Sequence, residues 1–439
     1  MTPFIPRASS SRVCDDVIVI GAGHAGLATS YLLTEAGLSH VVLERGETAN
    51  AWKTERWDSL RLLTPSWLTR LPGARYLDEA DDGFMHVSEL ADFLDDYAKA
   101  FRLPVVSGAN VTSLRRRRGI FEAHTESAVW QARTVVLASG AFNNPAVPKI
   151  AEQMPDNLMQ MTPFDYRSPD SVATDGVLIV GASATGLQLA DELVNAGRKV
   201  TLAVGEHVRM PRRYRGEDIF YWLHRSGIHD QRYDELDDIE RGRNLPSPQL
   251  MGRRSPDLDL NDLQNRGVQL TGKLLGCREG RLLFSGGLRN VCALADLKMA
   301  RLLKQIDPIA DAEGAVQSAA PVATRLENTP PVSLDINDSS IDTVIWATGF
   351  KPDYSWLHIP VLNHKGLLRH DGGIVVCPGL YALGLPLLRR RKSSFIFGIE
   401  DDARDIVSHL TSFLKTDSRR FADDLYSDAH TRASARRRA

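Results

Sequence analysis

Short, unbroken apolar runs closed by glycine set the rhythm of this chain. Val17–Ile20 is apolar at every position, as a strand buried on both faces of a parallel sheet must be. It runs into Gly21-x-Gly23-x-x-Gly26, after which residues 26–36 predict a helix and His40–Leu43 a second strand. The order then repeats: strand Val177–Val180, the turn Gly181-x-Ser183-x-x-Gly186 opening a helix, and strand Val200–Val204. Two βαβ units predict an α/β protein with two dinucleotide-binding, Rossmann-like domains.

Other runs place the connections. ARTVVLASG ends at Gly140, IDTVIWATG at Gly349 and PGLYALG at Gly384, each a strand closed by glycine. The first two are read as the crossings out of the first lobe and back, with small residues packed near a cofactor. The segment from Val111 to Ala132 alternates around Gly119, which predicts a hairpin with Arg115–Arg118 as its solvated tip. Residues from Ser255 to Gly287 read as a helix and short hairpins, and the Pro/Ala/Ser/Asn-rich stretch from Ala319 to Ser340 as a loop. After Gly398 a helix starts near Glu400, its positive end directed toward the first cofactor, with Asp401 and Asp402 as favourable first-turn residues.

The spacing carries the chemistry. Gly21 permits a tight turn, Gly23 lets the backbone approach a pyrophosphate, and Gly26 lets the helix pack close, so phosphates meet the positive end of a helix. Glu44 follows Gly26 by 18 residues at the tip of the second strand, where a carboxylate accepts both hydroxyls of an adenosine ribose. That carboxylate repels a 2′-phosphate, leaving NAD and FAD open at the first turn. The same count from Gly186 reaches Val204, so the second turn lacks an acidic hook. Arg209, Arg212, Arg213 and Arg215 follow closely. Guanidinium groups bind phosphate in bidentate fashion, which favours NADPH over NADH there, although Glu206 opposes it. Two such sites in one chain suit an enzyme that moves a hydride from nicotinamide to flavin, and this assigns FAD to the first. Residues 1–150 are then the first part of the FAD domain, 171–340 the NADP domain, 341–415 the second part of a discontinuous FAD domain, and 416–439 a C-terminal tail.

Composition narrows the picture further. The 439 residues are too many for one core, and 25% charged with 43% hydrophobic residues is ordinary for a globular chain. A net charge of −2 gives no global attraction to nucleic acid or anionic membranes. No apolar run is long enough to span a bilayer and the N-terminus lacks a signal-peptide core, so the expected location is the cytoplasm. Cys14, Cys277, Cys292 and Cys377 are scattered, with no C-x-x-C for redox work or zinc. A homodimer is the default expectation, because two-fold association is the commonest kind.

The chain resembles the flavin-containing monooxygenase family, in its bacterial branch related to YUCCA-type and cation-efflux-associated oxidoreductases. Besides the paired turns, AWKTERWDSLRLLTP (residues 51–65) is similar to the family segment W-x-x-R-W-D-x-L-x-L-x-T-P, and ASGAFNNPAVP, MPRRYRGEDIFYWL and WATGFKPDYSWL also match. The resemblance covers residues 15–414 and implies the glutathione-reductase-like two-domain architecture. It implies FAD contacts at Trp52, Arg56 or Trp57, and Thr64, and an adenine contact from the backbone around Val111. It further implies that NADPH reduces FAD and that the reduced flavin forms a C4a-(hydro)peroxyflavin with molecular oxygen, which oxygenates a small organic substrate. One departure stands in the linker pattern F-x-G-x-x-x-H-x-x-x-[W/Y]: Thr162 occupies the histidine position, and the upstream glycine is absent. This keeps open a reductase or oxidase that passes electrons to oxygen or a quinone, and a flavin-binding sensor without turnover. Cofactors aside, no Ser/His/Asp or Cys/His arrangement marks a catalytic residue.

Overall fold

The strand Arg12–Ile20 is the axis of the first lobe. It pairs in parallel with His40–Leu43 on one side and Val129–Leu137 on the other, so Ile20 lies between Leu43 and Leu137. Flanked on both edges and covered on both faces, Val17, Ile18 and Val19 are fully buried, which is why the run is apolar throughout. The computed structural model describes residues 12–77, 83–173, 175–253, 258–339 and 341–416. The tail expected from Ser418 onward lies outside them.

This first sheet has nine strands. Leu380–Ala382 joins in parallel beside Val129–Leu137, and the hairpin Ser113–Arg117/Ile120–His124 attaches to the same strand by antiparallel pairing. One face is covered by helices His24–Glu35, Val87–Ala100 and 399–416, through Leu27, Leu94 and Ile406 among others. The other face packs Ile18, Leu114, Phe121 and Tyr354.

The second lobe is a five-stranded parallel sheet in the order Met159–Met161, Thr343–Trp346, Gly176–Val180, Lys199–Ala203, Gln269–Thr271. Two boundaries therefore differ from the sequence reading. Thr343–Trp346 pairs directly with Gly176–Val180, so this strand belongs to the second lobe and the return crossing comes after 341. Met159–Met161 enters the second sheet well before residue 171. The crossings themselves run side by side, Phe350 opposite Pro145 and Lys351 opposite Asn144.

Two further elements escaped the pattern. The stretch after Ala319 is irregular only as far as Val332; Ser333–Asp335 then pairs with Arg281–Phe284, because the hairpin Leu274–Arg278/Arg281–Phe284 offers it an open edge. The longest helix, Leu288–Ala312, buries Leu288, Cys292, Ala295, Met299, Leu303, Ile306 and Ala310, a stripe at helical spacing that could have announced it. Among the described residues no helix is long and apolar enough to cross a membrane.

Candidate functional site: two matched glycine turns

Both turns have the same stereochemistry. Gly21 sits at φ +105°, and a Cβ there would lie 2.5 Å from the Ala138 carbonyl oxygen; Gly181 sits at φ +111°, with its Cβ 2.3 Å from that of Ala347. A Cβ on Gly26 or Gly186 would lie 1.8 Å from the carbonyl oxygen of Gly21 or Gly181. Only glycine satisfies all four positions. At Gly23, by contrast, an added Cβ would meet nothing within 4 Å, and Ser183 occupies the equivalent place with nearly the same backbone angles. The middle position therefore faces open space.

The helices that begin at these turns are uncapped. Neither His24–Glu35 nor Ala184–Asn195 has a side chain bonded to its first N–H groups or an acidic residue in its first turn. The helices beginning at Val87, Ile219, Ile239 and Leu260 are capped by side chains, from His86, Asp218, Asp238 and Asp259, whereas Asn50–Thr54 and Leu288–Ala312 share the uncapped state without a matched glycine turn. Free N–H groups at the positive end of a helix, next to open space, fit a pyrophosphate at each turn.

Glu44 is 7% exposed. Its Oε2 accepts the Ala22 N–H at 2.7 Å and its Oε1 the Gly46 N–H at 3.1 Å, while no arginine or lysine pairs with it among the described residues. Two lone pairs remain for ribose hydroxyls. The Ala109 N–H bonds the Glu44 carbonyl, which brings the loop before Val111 against the same strand tip. Gly384, at φ +79°, would place a Cβ 2.9 Å from that of Ala25, so its strand end abuts the first turn; Gly140, at φ +84°, faces open space. Glu44, the loop before Val111 and Gly384 thus lie around the first turn.

The 51–65 segment divides. Trp52 packs on the first-lobe core with the Arg56 guanidinium 5.4 Å from its ring, and Thr64 is buried. Burial lowers the Arg56 pKa, and its guanidinium donates to the Glu55 carbonyl at 2.8 Å. Trp57 points elsewhere: it is 5% exposed within the core of the second lobe and donates to Glu192.

At the second turn, backbone pairing identifies Val204 as the counterpart of Glu44. Val204 N–H bonds Thr271 as Glu44 N–H bonds Val106, and Gly181 bonds Ala203 as Gly21 bonds Leu43. The hook position is thus an apolar residue at 1% exposure. Three of the expected phosphate-binding arginines are already engaged, among them the buried Arg215, bonded to Asp311 at 2.6 Å. Arg209 is buried between Asp259 and Asp296, both at 2.6 Å, and Arg212 bonds Asp218 at 2.7 Å and the Leu63 carbonyl at 2.8 Å while lying over Phe84 and Phe220. Arg213 is exposed and bonds the Gly216 carbonyl. Glu206, the opposing charge, pairs with Lys298 at 2.8 Å.

Sequence reasoning missed two polar groups at the turns. His24 follows Gly23; its Nε2 is buried without a hydrogen-bond partner, and burial pushes the ring pKa down to about 4. Gln249 donates to the Ala182 carbonyl at 2.7 Å, leaving its Oε1 buried and unbonded on the wall of a cavity of about 200 Å³ shared with Arg209 and Arg212. Gln249 carried no signal, because only folding brings it beside Ala182.

Known proteins share much of this chain. Residues 18–231 match the family Pyridine nucleotide-disulphide oxidoreductase. An oxidoreductase CzcO-like from Geobacillus kaustophilus is 31% identical over 401 residues, covering 90% of this chain and 99% of its own. A probable indole-3-pyruvate monooxygenase of Arabidopsis thaliana is 28% identical over 209 residues, 46% of this chain and 50% of that one. The chain belongs to the CzcO-like oxidoreductase family. Its fold is shared with the flavin-containing monooxygenase from Stenotrophomonas maltophilia, at TM-score 0.65 and 19% identity, covering 91% of this chain and 99% of that one. The relative that spans the chain makes it an oxidoreductase. Within this family member, Thr162 at the linker histidine position forms a local turn: its N–H and Oγ1 both bond Asp165 Oδ2 at 2.8 Å, and its carbonyl accepts the Tyr166 N–H.

Proposed function

We propose that the protein is an FAD- and NADPH-dependent monooxygenase acting on a small organic molecule. The observation that carries this reading is the pair of uncapped helix N-termini at matched glycine turns, one on each of two sheets joined by adjacent crossings. At the first, the N–H groups following Gly21 and the carboxylate of Glu44 hold FAD, with Trp52, Arg56 and Thr64 alongside. At the second, the N–H groups following Gly181 hold the dinucleotide, and Gln249 Oε1 accepts a hydroxyl or amide proton from it. Val204 supports NADPH because it puts no negative charge beside a 2′-phosphate, and the exposed Arg213 supplies a cation on the segment that follows. Arg209 and Arg212 serve this site indirectly, by holding that segment through Asp259, Asp296 and Asp218. When bound, the nicotinamide supplies a hydride and the flavin relays its electrons to oxygen. Thr162 in the linker favours a second reading, an oxidase that releases peroxide.

The test is direct. Purified protein is expected to carry FAD, to bleach with NADPH under anaerobic conditions, and in air with an accepted amine, sulfide or ketone to release less peroxide than the NADPH it consumes. Stoichiometric peroxide with every substrate supports the oxidase. Protein that is colourless and takes up no added FAD rejects both.

A further inference from the structure

Glu192 lies about two turns into the helix that starts at the second glycine turn. Its carboxylate collects three donors from two parts of the chain. Trp57 Nε1 donates to Oε1 at 3.1 Å, Ser59 Oγ donates to the same oxygen, and the fully buried Tyr166 donates its hydroxyl to Oε2 at 2.9 Å. No arginine or lysine pairs with Glu192 among the described residues, so three neutral groups hold the charge. Hydrogen bonds to an ionised acceptor are the strong, short kind, which gives this junction a defined geometry.

The elements that meet here have separate duties. Trp57 and Ser59 belong to the segment that also carries Trp52, Arg56 and Thr64. Tyr166 belongs to the linker and occupies its aromatic position, four residues beyond Thr162. The linker is bound to the segment a second time: the Asp58 N–H bonds the Arg167 carbonyl at 2.9 Å, and the Arg167 guanidinium donates to the Arg56 and Thr54 carbonyls. Gly186 seats the helix tightly on Gly181, so the helix cannot shift without moving the glycine turn. Glu192 thus joins the second turn to the first lobe through a carboxylate, without the linker histidine.

We propose that Glu192 is a positioning residue that registers the second nucleotide turn against the 51–65 segment, so that a dinucleotide bound at the second turn is sensed in the first lobe. This rests on the reading of the second turn as a nicotinamide dinucleotide site.

Hydrogen exchange of the FAD-loaded protein with and without NADP+ tests it, together with anaerobic flavin reduction by NADPH. In the wild type NADP+ protects residues 176–187 and also 51–62. In Glu192→Ala the first protection persists and the second is lost; the limiting reduction rate falls about ten-fold, as for a misplaced reactant, while the NADPH Kd changes less than about three-fold. Glu192→Gln, which keeps an oxygen for Trp57 and Ser59, recovers part of the rate. Should Glu192→Ala fail to fold, Tyr166→Phe and Trp57→Phe each remove one donor and are expected to show the same split. Wild-type protection at 176–187 without protection at 51–62 overturns this inference alone, as do folded variants with unchanged rates and exchange. No protection at 176–187 in the wild type overturns the dinucleotide reading and the inference with it.

Discussion

The backbone N–H of Ala22 lies 2.7 Å from Glu44 Oε2, so the first glycine turn itself grips the carboxylate at the tip of the neighbouring strand. Turn and hook form one unit before any ligand arrives, which removes an ordering cost from binding.

Removing that carboxylate should be felt by the cofactor. Glu44→Ala is expected to purify with less flavin per chain and to bind FAD about 10- to 100-fold more weakly, the worth of charge-assisted hydrogen bonds at about 1.5–3 kcal/mol. Flavin absorbance per chain and calorimetric titration read the effect. Full occupancy with unchanged affinity would remove Glu44 from the site.

The glycines of the first turn should separate into two classes. Gly23→Ala meets nothing in the protein and has an ordinary φ of −79°, so stability should change by no more than about 0.5 kcal/mol while FAD affinity falls. Gly26→Ala forces a Cβ to 1.8 Å from the Gly21 carbonyl oxygen and should displace the helix, yielding little folded protein. Thermal unfolding and soluble yield distinguish them. Equal behaviour of the two variants would contradict the geometry.

Arg209 should act on stability before it acts on coenzyme. Its side chain is 6% exposed and neutralises Asp259 and Asp296 together. Arg209→Leu leaves those carboxylates facing each other without a cation and should cost about 3 kcal/mol or more in urea unfolding. A loss under about 0.5 kcal/mol, the scale of a neutral surface change, would show the pairs to be weak.

A pH dependence follows from His229, which is 4% exposed and ringed by Phe220, Phe395 and Phe397. Burial first, then His224 and Lys392, push its pKa down to about 4 against 6.5 unperturbed, with Asp230 opposing. The folded state thus holds it neutral while the unfolded chain binds the proton. Its contribution is complete above pH 6.5, declines as pH falls from 6.5 toward 4, and is gone below. Between pH 7.5 and 5 the loss is about 2 kcal/mol, and His229→Phe should flatten that part of the profile in denaturant titrations. An unchanged profile in the variant would sink this assignment.

The parts legible in the sequence are those set by neighbours along the chain. A βαβ turn is closed by residues a few positions apart, so Gly21, Gly26, Gly181 and Gly186 could be read without coordinates, and the strand-to-tip distance carried Glu44 with them. Helix Leu288–Ala312 is equally local, its apolar stripe set by residues three and four positions apart.

Partnership across the fold was another matter. Arg209 and Arg212 stand just after the strand Lys199–Ala203 in the sequence, but Asp259 and Asp296, far along the chain, hold Arg209, and the neighbouring Asp218 holds Arg212. Trp57 lies five residues from Trp52 yet packs in the other lobe, because the short helix Asn50–Thr54 ends and the chain turns between them. The sequence by itself determined two matched glycine turns, since backbone sterics act over a few residues. Which charges are spent inside the protein, and how Glu192 ties the lobes together, were decided only when folding brought distant donors and acceptors within hydrogen-bond reach.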